Sequence, residues 1–339
     1  MRRLLGILLT VLCAIGAAVV TWPEFFRLER TYPLAQVISF RGLIVAGFGA
    51  LLLVALLFAA IRPIRRIALS LAAVALIAVV VNAAVVGTRG TGTGTLPEKT
   101  ESSIRVMTWN TAGDATSPAT IAQTAVAMGA DIVTLPETTI ETGGQVAVAM
   151  RDLGQPMWAH HTEYGSDGWA ADSTTILISP ALGSYAVTAA SQDGSSNTST
   201  VPSAVAMPID GNGPIVVAAH AVAPREDFMV DWRHDLQWLA DQCAGENIIL
   251  AGDFNATIDH MSRLGTDGGT LGRCRDAAVL TGNGAVGTWP TSYPPLAGAP
   301  IDHVLATPDW TPTGSVVLGS LDAAGGDHRP LIVQLERTG

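Results

Sequence analysis

Charge is scarce in this 339-residue chain. Only 14% of residues are Asp, Glu, Lys or Arg, against about 25% in an ordinary soluble protein. Cysteine is scarcer, with three residues at positions 13, 243 and 274, and no Cys/His cluster has the spacing of a zinc site. The sequence has no P-loop and no Ser or Cys in a nucleophile elbow. The shortage of charge is also uneven. Residues 1–90 hold nine Lys/Arg and two Asp/Glu, a net of +7, whereas 91–339 hold ten Lys/Arg and 27 Asp/Glu, a net of −17. These two compositions exclude a single soluble domain, a disordered chain and a basic nucleic-acid-binding protein of the usual kind.

What fills the first part is apolar. Leu4–Trp22, Leu43–Ile61 and Ile67–Val86 carry no charge, and each is long enough to cross a hydrocarbon core of about 30 Å as a helix. Buried globular helices of this length nearly always keep a polar face. Here Asn82 is the one strongly polar side chain, near the end of its span. The first run can also be read as a signal peptide after Arg2 and Arg3, but no good A-x-A site follows it. Arg62, Arg65 and Arg66 crowd the short loop between the second and third runs, and short Arg-dense loops stay in the cytoplasm. The expectation is a membrane anchor over 1–86 with the N-terminus inside, three crossings and the remainder outside the cytoplasmic membrane. Residues 87–103, rich in Gly, Thr and Ser, read as a flexible tether.

Residues 104–339 read as one α/β domain. Strand patterns fall at 104–110, 131–135, 174–179, 204–209, 214–220, 248–251, 301–306, 315–318 and 331–335. Helical patterns fall at 118–128 and 225–242. The chemistry gathers where these strands end: Asn110, Glu137 in LPE, His220 in VVAAH, Asp253 and Asn255 in GDFN, Asp302 in IDHVL, and Asp327 and His328 in GDHRPL. A carboxylate in a turn is more often a cap, and a lone His at a strand end is more often structural. Together, however, they suit phosphoryl transfer to water. Glu137 can give a divalent cation a hard oxygen ligand. Asn110, Asn255, His220 and His328 can donate to phosphoryl oxygens. Asp253 or Asp327 can accept a proton from water, and Asp302 suits His328 as a partner.

The motifs MTWN, LPE, AAH, GDFN, IDHVL and GDHRP, in that order, resemble the endonuclease/exonuclease/phosphatase superfamily, which includes DNase I-like nucleases, inositol polyphosphate 5-phosphatases and neutral sphingomyelinases. The resemblance covers about residues 104–336. It implies a four-layer α/β sandwich of two mostly antiparallel sheets flanked by helices. It also implies a hydrolase dependent on Mg²⁺ or Mn²⁺. By position, Glu137, Asn110 and Asp327 fall at the metal, and Asn110, Asn255 and His220 at the phosphate. Asp253, Asp302, His220, Asp327 and His328 fall in the catalytic set. Two positions depart from the pattern. Pro136 stands where Gln commonly precedes the metal Glu, and Ala112 stands where some nucleases have a second acidic ligand, which favours one ion per site. Three spans before such a domain resemble, more narrowly, the VanJ-type teicoplanin-resistance proteins of actinobacteria, linked to dephosphorylation of undecaprenyl pyrophosphate.

An outer part at −17 whose one lysine is Lys99 is poorly built for nucleic acid, whose affinity comes largely from Lys and Arg. Few arginines could form a basic groove. Arg329, beside the site, reads either as a substrate-phosphate contact or as a surface salt bridge. A membrane anchor instead favours a lipid-linked phosphate or pyrophosphate, because confinement raises the local concentration of enzyme at the bilayer. A phospholipase C-like or sphingomyelinase-like phosphodiesterase and a tethered nuclease are the alternatives. The segments 158–173 and 288–300, with scattered aromatics and prolines, are either substrate-selecting rims or packed surface loops. Cys243 and Cys274 are either a disulfide or two buried thiols.

Overall fold

In the computed structural model, described over residues 2–165, 169–192 and 195–338 (without the side chains of Arg2, Arg3 and Asp114), the chain divides into two units, Met1–Thr88 and Arg89–Gly339. The first holds α1 (Arg2–Thr21), a short α2 (Leu34–Ile38), α3 (Arg41–Phe58) and most of α4 (Arg65–Arg89). Helices α1, α3 and α4 are long and apolar enough to cross a membrane. Most of their large apolar side chains face outward, as in Leu4, Leu53, Leu57 and Ile77. The inside of this unit is polar at one end. Arg41 Nη1 donates to Asn82 Oδ1 at 2.7 Å, and Asn82 Nδ2 donates to Thr21 Oγ1 at 3.0 Å. The end of α1, the start of α3 and the last third of α4 are thereby joined. A polar pair inside an apolar bundle is worth keeping only when both members are satisfied.

The second unit holds two six-stranded sheets. Its strands are β1 (Ser103–Thr108), β2 (Ile132–Pro136), β3 (Trp158–Glu163), β4 (Ser173–Ile178), β5 (Tyr185–Val187), β6 (Ala204–Pro208), β7 (Ile215–His220), β8 (Ile248–Asp253), β9 (Arg275–Asp276), β10 (Asp302–Ala306), β11 (Trp310–Val317) and β12 (Leu331–Arg337). The sheet orders are β11-β12-β1-β2-β4-β3 and β5-β6-β7-β8-β10-β9. Only β1/β2 and β7/β8 pair in parallel, and the rest are antiparallel. The alternation of each strand sends one face into a shared inner core. Ile104, Val106, Ile132 and Ile176 of one sheet meet Ala218, Ile249, Ala251 and Val304 of the other. The opposite face of the first sheet, with Met107, Val133, Leu135 and Leu177, packs on α5 (Pro118–Met128) and α6 (Ile140–Asp152). Helix α7 (Met229–Gln242) buries Trp232, Leu236 and Leu239, and two short helices, α8 (Ile258–Met261) and α9 (Ala277–Leu280), complete the unit. This is the α/β sandwich of two mostly antiparallel sheets flanked by helices that the motifs imply.

Helix α5 starts at its Ser117 cap, whose side chain accepts from Thr120 N, and ends in a left-handed Gly129. Helix α6 is not visible from periodicity alone, because Gly143 and Gly144 interrupt its pattern. Gly143 is required by packing, since a Cβ there would strike Thr175. Cys243 and Cys274 are joined in a disulfide, the first of the two readings open from sequence. The segment 158–173 is also sharpened. Its first six residues form edge strand β3, and Trp158 pairs with Ile178, at the end of the sheet away from Pro136. Ser166–Gly168 of that segment lie outside the described residues.

Residues 89–99 differ from the expected loose tether. Arg89 grips Asp259 with two bonds of 2.8 and 2.7 Å, Gly90 O accepts from Ala285 N, and Gly92 N donates to Gly282 O. Pro97 O accepts from Arg105, and Lys99 pairs with Asp131. A Cβ on Gly94 would collide with the Asn283 amide and the Thr281 carbonyl. The glycines therefore serve close approach rather than freedom. Gly94→Val is expected to cost about 1–3 kcal/mol, a fall of about 2–12 °C in the unfolding midpoint of the second unit. An unchanged midpoint by scanning fluorimetry would mean that 89–99 is only a leash.

Candidate active site

Strand register brings the site residues to one edge. Asp253, at the end of β8, is the register partner of both His220, at the end of β7, and Asp302, at the start of β10. In the other sheet, Thr108 of β1 pairs with Leu331 of β12. Asn110 therefore lies beside the segment that carries Asp327 and His328, and Trp109 Nε1 donates to His328 O at 2.9 Å. Glu137 follows β2, the parallel neighbour of β1. Three non-glycine residues here are left-handed, Ala112 (φ 49), Glu137 (φ 55) and Asn255 (φ 46). Such backbone costs of order 1 kcal/mol or more per residue and collects at functional sites.

The centre is a buried carboxylate–imidazole array. His328 Nδ1 lies 2.8 Å from Asp302 Oδ2, and its Nε2 lies 3.8 Å from Asp253 Oδ2 and 4.0 Å from Asp327 Oδ1. Burial opposes charge on His328, but Asp302, Asp253 and Asp327 outweigh it and raise its pKa to about 10. It is an imidazolium at neutral pH, with Nδ1–H on Asp302 and Nε2–H free to face the site. Asp253 is pushed up to about 7, chiefly by burial and then by Asp302, against the opposing pull of His328 and of hydrogen bonds from Asn255 and Asn110. His220 is held down to about 3 by burial and by the neighbouring His328 charge. It is therefore a neutral ring, with Nε2 3.8 Å from Glu137 Oε1. Its backbone N–H is fixed by Ser203 Oγ at 2.9 Å.

Asn110 Nδ2 bridges two carboxylates, donating to Glu137 Oε1 and to Asp253 Oδ2 at 3.0 Å each. Asn255 N donates to Asp253 Oδ1 at 2.8 Å, and its Nδ2 to Ala221 O at 2.9 Å. The structure thus brings together Asn110, Glu137, His220, Asp253, Asn255, Asp302, Asp327 and His328, all of them motif residues.

Among the described residues, Asp253, Asp302 and His328 are the one trio of ligand-type side chains whose atoms lie within 4.8 Å of one another. A cationic imidazole whose proton is held by carboxylates is a poor ligand, so this trio reads as an acid–base array. The surroundings nevertheless fit a divalent cation. Glu137 offers a partly exposed hard oxygen, and Asp302 Oδ1 is a buried carboxylate oxygen with no hydrogen-bond partner.

Arg329 is the clear departure from expectation. It is fully buried rather than aimed at substrate phosphate. Its Nε and Nη2 grip Asp322 at 2.7 Å each, and the remaining donors reach Gly287 O, Thr291 O and Tyr293 O at 2.9, 3.1 and 2.7 Å. A buried guanidinium must satisfy its donors internally, which leaves it none for a ligand. Sequence reasoning also missed Trp289, whose Nε1 donates to Asp327 Oδ2 at 2.9 Å, and Thr288, whose hydroxyl accepts from the Ile301 and Asp302 N–H groups. The TWP run was the available signal for both. Nothing in the sequence marks Asp322.

The fold is of the phosphoesterase/nuclease-like type, with a possible metal site at the edge where these residues meet. The model of the Endonuclease/Exonuclease/phosphatase family matches residues 107–328, and the chain belongs to that family, whose members are generally divalent-metal dependent. Among solved structures, it is similar to an endonuclease/exonuclease/phosphatase from Beutenbergia cavernae DSM 12333, with 19% identity, 70% of this chain and 72% of that one covered, and a TM-score of 0.53. It is also similar to D. rerio TDP2, humanized by 14 mutations, and to D. rerio TDP2 complexed with a single-strand DNA product. Each is 16% identical, covers 70% of this chain and 100% of the other, and has a TM-score of 0.50. These likenesses bear on the fold alone. No curated protein matches by sequence.

Removing the Asp302 carboxylate deletes the closest anion holding the proton on His328. In Asp302→Asn the imidazole midpoint is expected to fall from about 10 to the ordinary value of about 6.5 or below, read by NMR of labelled histidine. A midpoint that stays near its wild-type value would contradict the array.

Proposed function

We propose that this protein is a membrane-anchored, divalent-metal-dependent phosphoesterase. It acts outside the cytoplasmic membrane, by water attack at phosphorus, on a lipid-linked phosphate or pyrophosphate such as a polyprenyl pyrophosphate. The observation that carries the reading is the presence, in one chain of this family, of three apolar helices able to cross a membrane and a buried cluster of Asn110, Asp253, Asp302 and His328. Three further features support it. The outer unit is acidic, and several of its few cations are occupied, with Lys99 on Asp131, Arg89 on Asp259 and Arg329 buried on Asp322. Little is then left to follow a nucleic-acid backbone. The Cys243–Cys274 disulfide suits an oxidising compartment. The Arg-dense loop at 62–66 suits the cytoplasmic side.

Asp253, poised near neutrality, takes the proton from water as its oxygen bonds to phosphorus and the bond to the leaving oxygen breaks. The His328 imidazolium, held by Asp302, donates to the phosphoryl oxygen on which charge develops. Asn110, Asn255 and the neutral ring of His220 orient the phosphate. Glu137 and Asn110 would hold one Mg²⁺ or Mn²⁺, with Asp327 at the rim. When bound, that ion supplies Lewis-acid polarisation of the phosphoryl group.

The pH profile follows from the signs. Asp253 works only when deprotonated, so kcat/KM falls as pH drops through its pKa, at or below about 7, because a bound cation lowers it further. His328 works only when protonated, so kcat/KM falls as pH rises through about 10. A rate that is flat from pH 5 to 11 would remove the assignment. Asp253→Ala and His328→Ala are each expected to lose about 100- to 10,000-fold in rate with the fold retained. Glu137→Ala and EDTA treatment should both abolish metal-dependent release, and added Mg²⁺ or Mn²⁺ should restore it only after EDTA.

The substrate is tested on the purified full-length protein with polyprenyl pyrophosphate, sphingomyelin, phosphoinositides and single-stranded DNA, reading free phosphate and organic products. Phosphate release from the polyprenyl substrate is the expected outcome. Phosphocholine release would point to a sphingomyelinase-like phosphodiesterase, and cleaved DNA to a tethered nuclease.

A further inference from the structure

We infer that the hairpin 287–299 is a lip that recognises the apolar chain of the substrate beside its reacting phosphate, with Arg329 as the positioning residue that sets its shape. This rests on the lipid-linked reading proposed above and names the surface that would carry it.

The hairpin is bonded to both sides of the site. At its base, Thr288 N and Trp289 N donate to Ala299 O at 3.0 and 3.1 Å, and Ala299 N returns a bond to Trp289 O. The Thr288 hydroxyl then accepts from the Asp302 N–H at 3.1 Å, so the base is continuous with the carboxylate that holds His328. On the other side, Trp289 Nε1 reaches Asp327 Oδ2 and Thr291 N reaches Asp327 O, each at 2.9 Å.

Arg329 rivets the loop from beneath. It is 0% exposed, with Asp322 on two of its nitrogens and the carbonyls of Gly287, Thr291 and Tyr293 on its remaining donors. Burying a guanidinium under a loop is costly unless every donor is placed. Here the placement freezes the path of a segment that ends in solvent. What the frozen tip presents is apolar. Tyr293 is 43% and Leu296 46% exposed, in a unit otherwise rich in acidic side chains. Apolar groups on a pre-ordered loop lose little conformational entropy when a chain docks on them. Of the exposed aromatics in 158–173, Trp158 sits at the far end of its sheet, whereas Trp169, 62% exposed, precedes the end of β4 that pairs with Pro136 and adds a second apolar side chain at that end of the sheet.

The test uses the full-length protein in detergent and the double variant Tyr293→Ser/Leu296→Ser. Two substrates with the same reacting group are compared, a long-chain polyprenyl pyrophosphate and a short-chain, water-soluble prenyl pyrophosphate. The lip predicts that the ratio of kcat/KM for long over short chain falls about tenfold in the variant, and that the loss lies mainly in KM. An unchanged ratio overturns the lip while leaving the phosphatase reading intact. If the wild type hydrolyses neither substrate, the lipid-pyrophosphate reading has failed. The same ratio is then taken on long- and short-chain versions of whichever phosphate ester it does cleave. A selective loss on the long chain supports the lip. No loss, or a wild type indifferent to chain length, overturns it.

Discussion

The contact between Asp302 and His328, buried where two sheets meet, sets the terms for everything around it. Two carboxylates and an imidazole packed together in the interior cannot all be charged without compensation. The protein resolves this by keeping the proton on His328 and by leaving Asp253 near its titration point. Burial, helped by the His328 charge and opposed by Asp302, holds His220 neutral. Three residues of ordinary chemistry are thus driven to three different protonation states by their surroundings. Asn110, bridging Glu137 and Asp253, keeps the carboxylates at a fixed separation. The left-handed turns at Glu137 and Asn255 aim the two loop residues inward.

The scaffold makes this arrangement a consequence of register. His220, Asp253 and Asp302 are neighbours because β7, β8 and β10 align there, and any one-residue slip would turn a member to the other face. The other sheet contributes Asn110, Glu137 and His328 from the loops at the ends of β1 and β2 and before β12, and the two sheets pack through a shared core. Around this edge, Arg329 and Asp322 anchor the 287–293 segment, and residues 89–99 lie against the rest of the second unit from Asp259 to Asp131.

Much of the second unit was legible in its sequence. The inner strands are short, apolar and bounded by turn residues, so β2, β4, β7, β8 and β10 emerge close to their observed limits. The residues that the structure gathers at one edge were legible as well, because they stand at or just beyond strand ends in compact motifs. The remainder depends on partners distant in sequence. Helix α6 hides because Gly143 is demanded by Thr175, not by helix propensity. The glycines of 90–94 look like freedom in sequence and are close contacts in three dimensions. Arg329 adjoins His328 in the chain, which suggests substrate, yet Asp322 and three carbonyls claim it. Local composition cannot distinguish a buried cation from an offered one.

The proposed reaction is water attack on phosphorus with Asp253 as base, and oxygen isotope transfer measures it most directly. A single turnover in ¹⁸O-labelled water, with the ester that the protein hydrolyses, should place one labelled oxygen on the phosphorus of a product and none on the alcohol. Label on the alcohol carbon, or an unlabelled first-turnover phosphate with label appearing only later, would contradict it and point to C–O cleavage or to a covalent carboxyl intermediate.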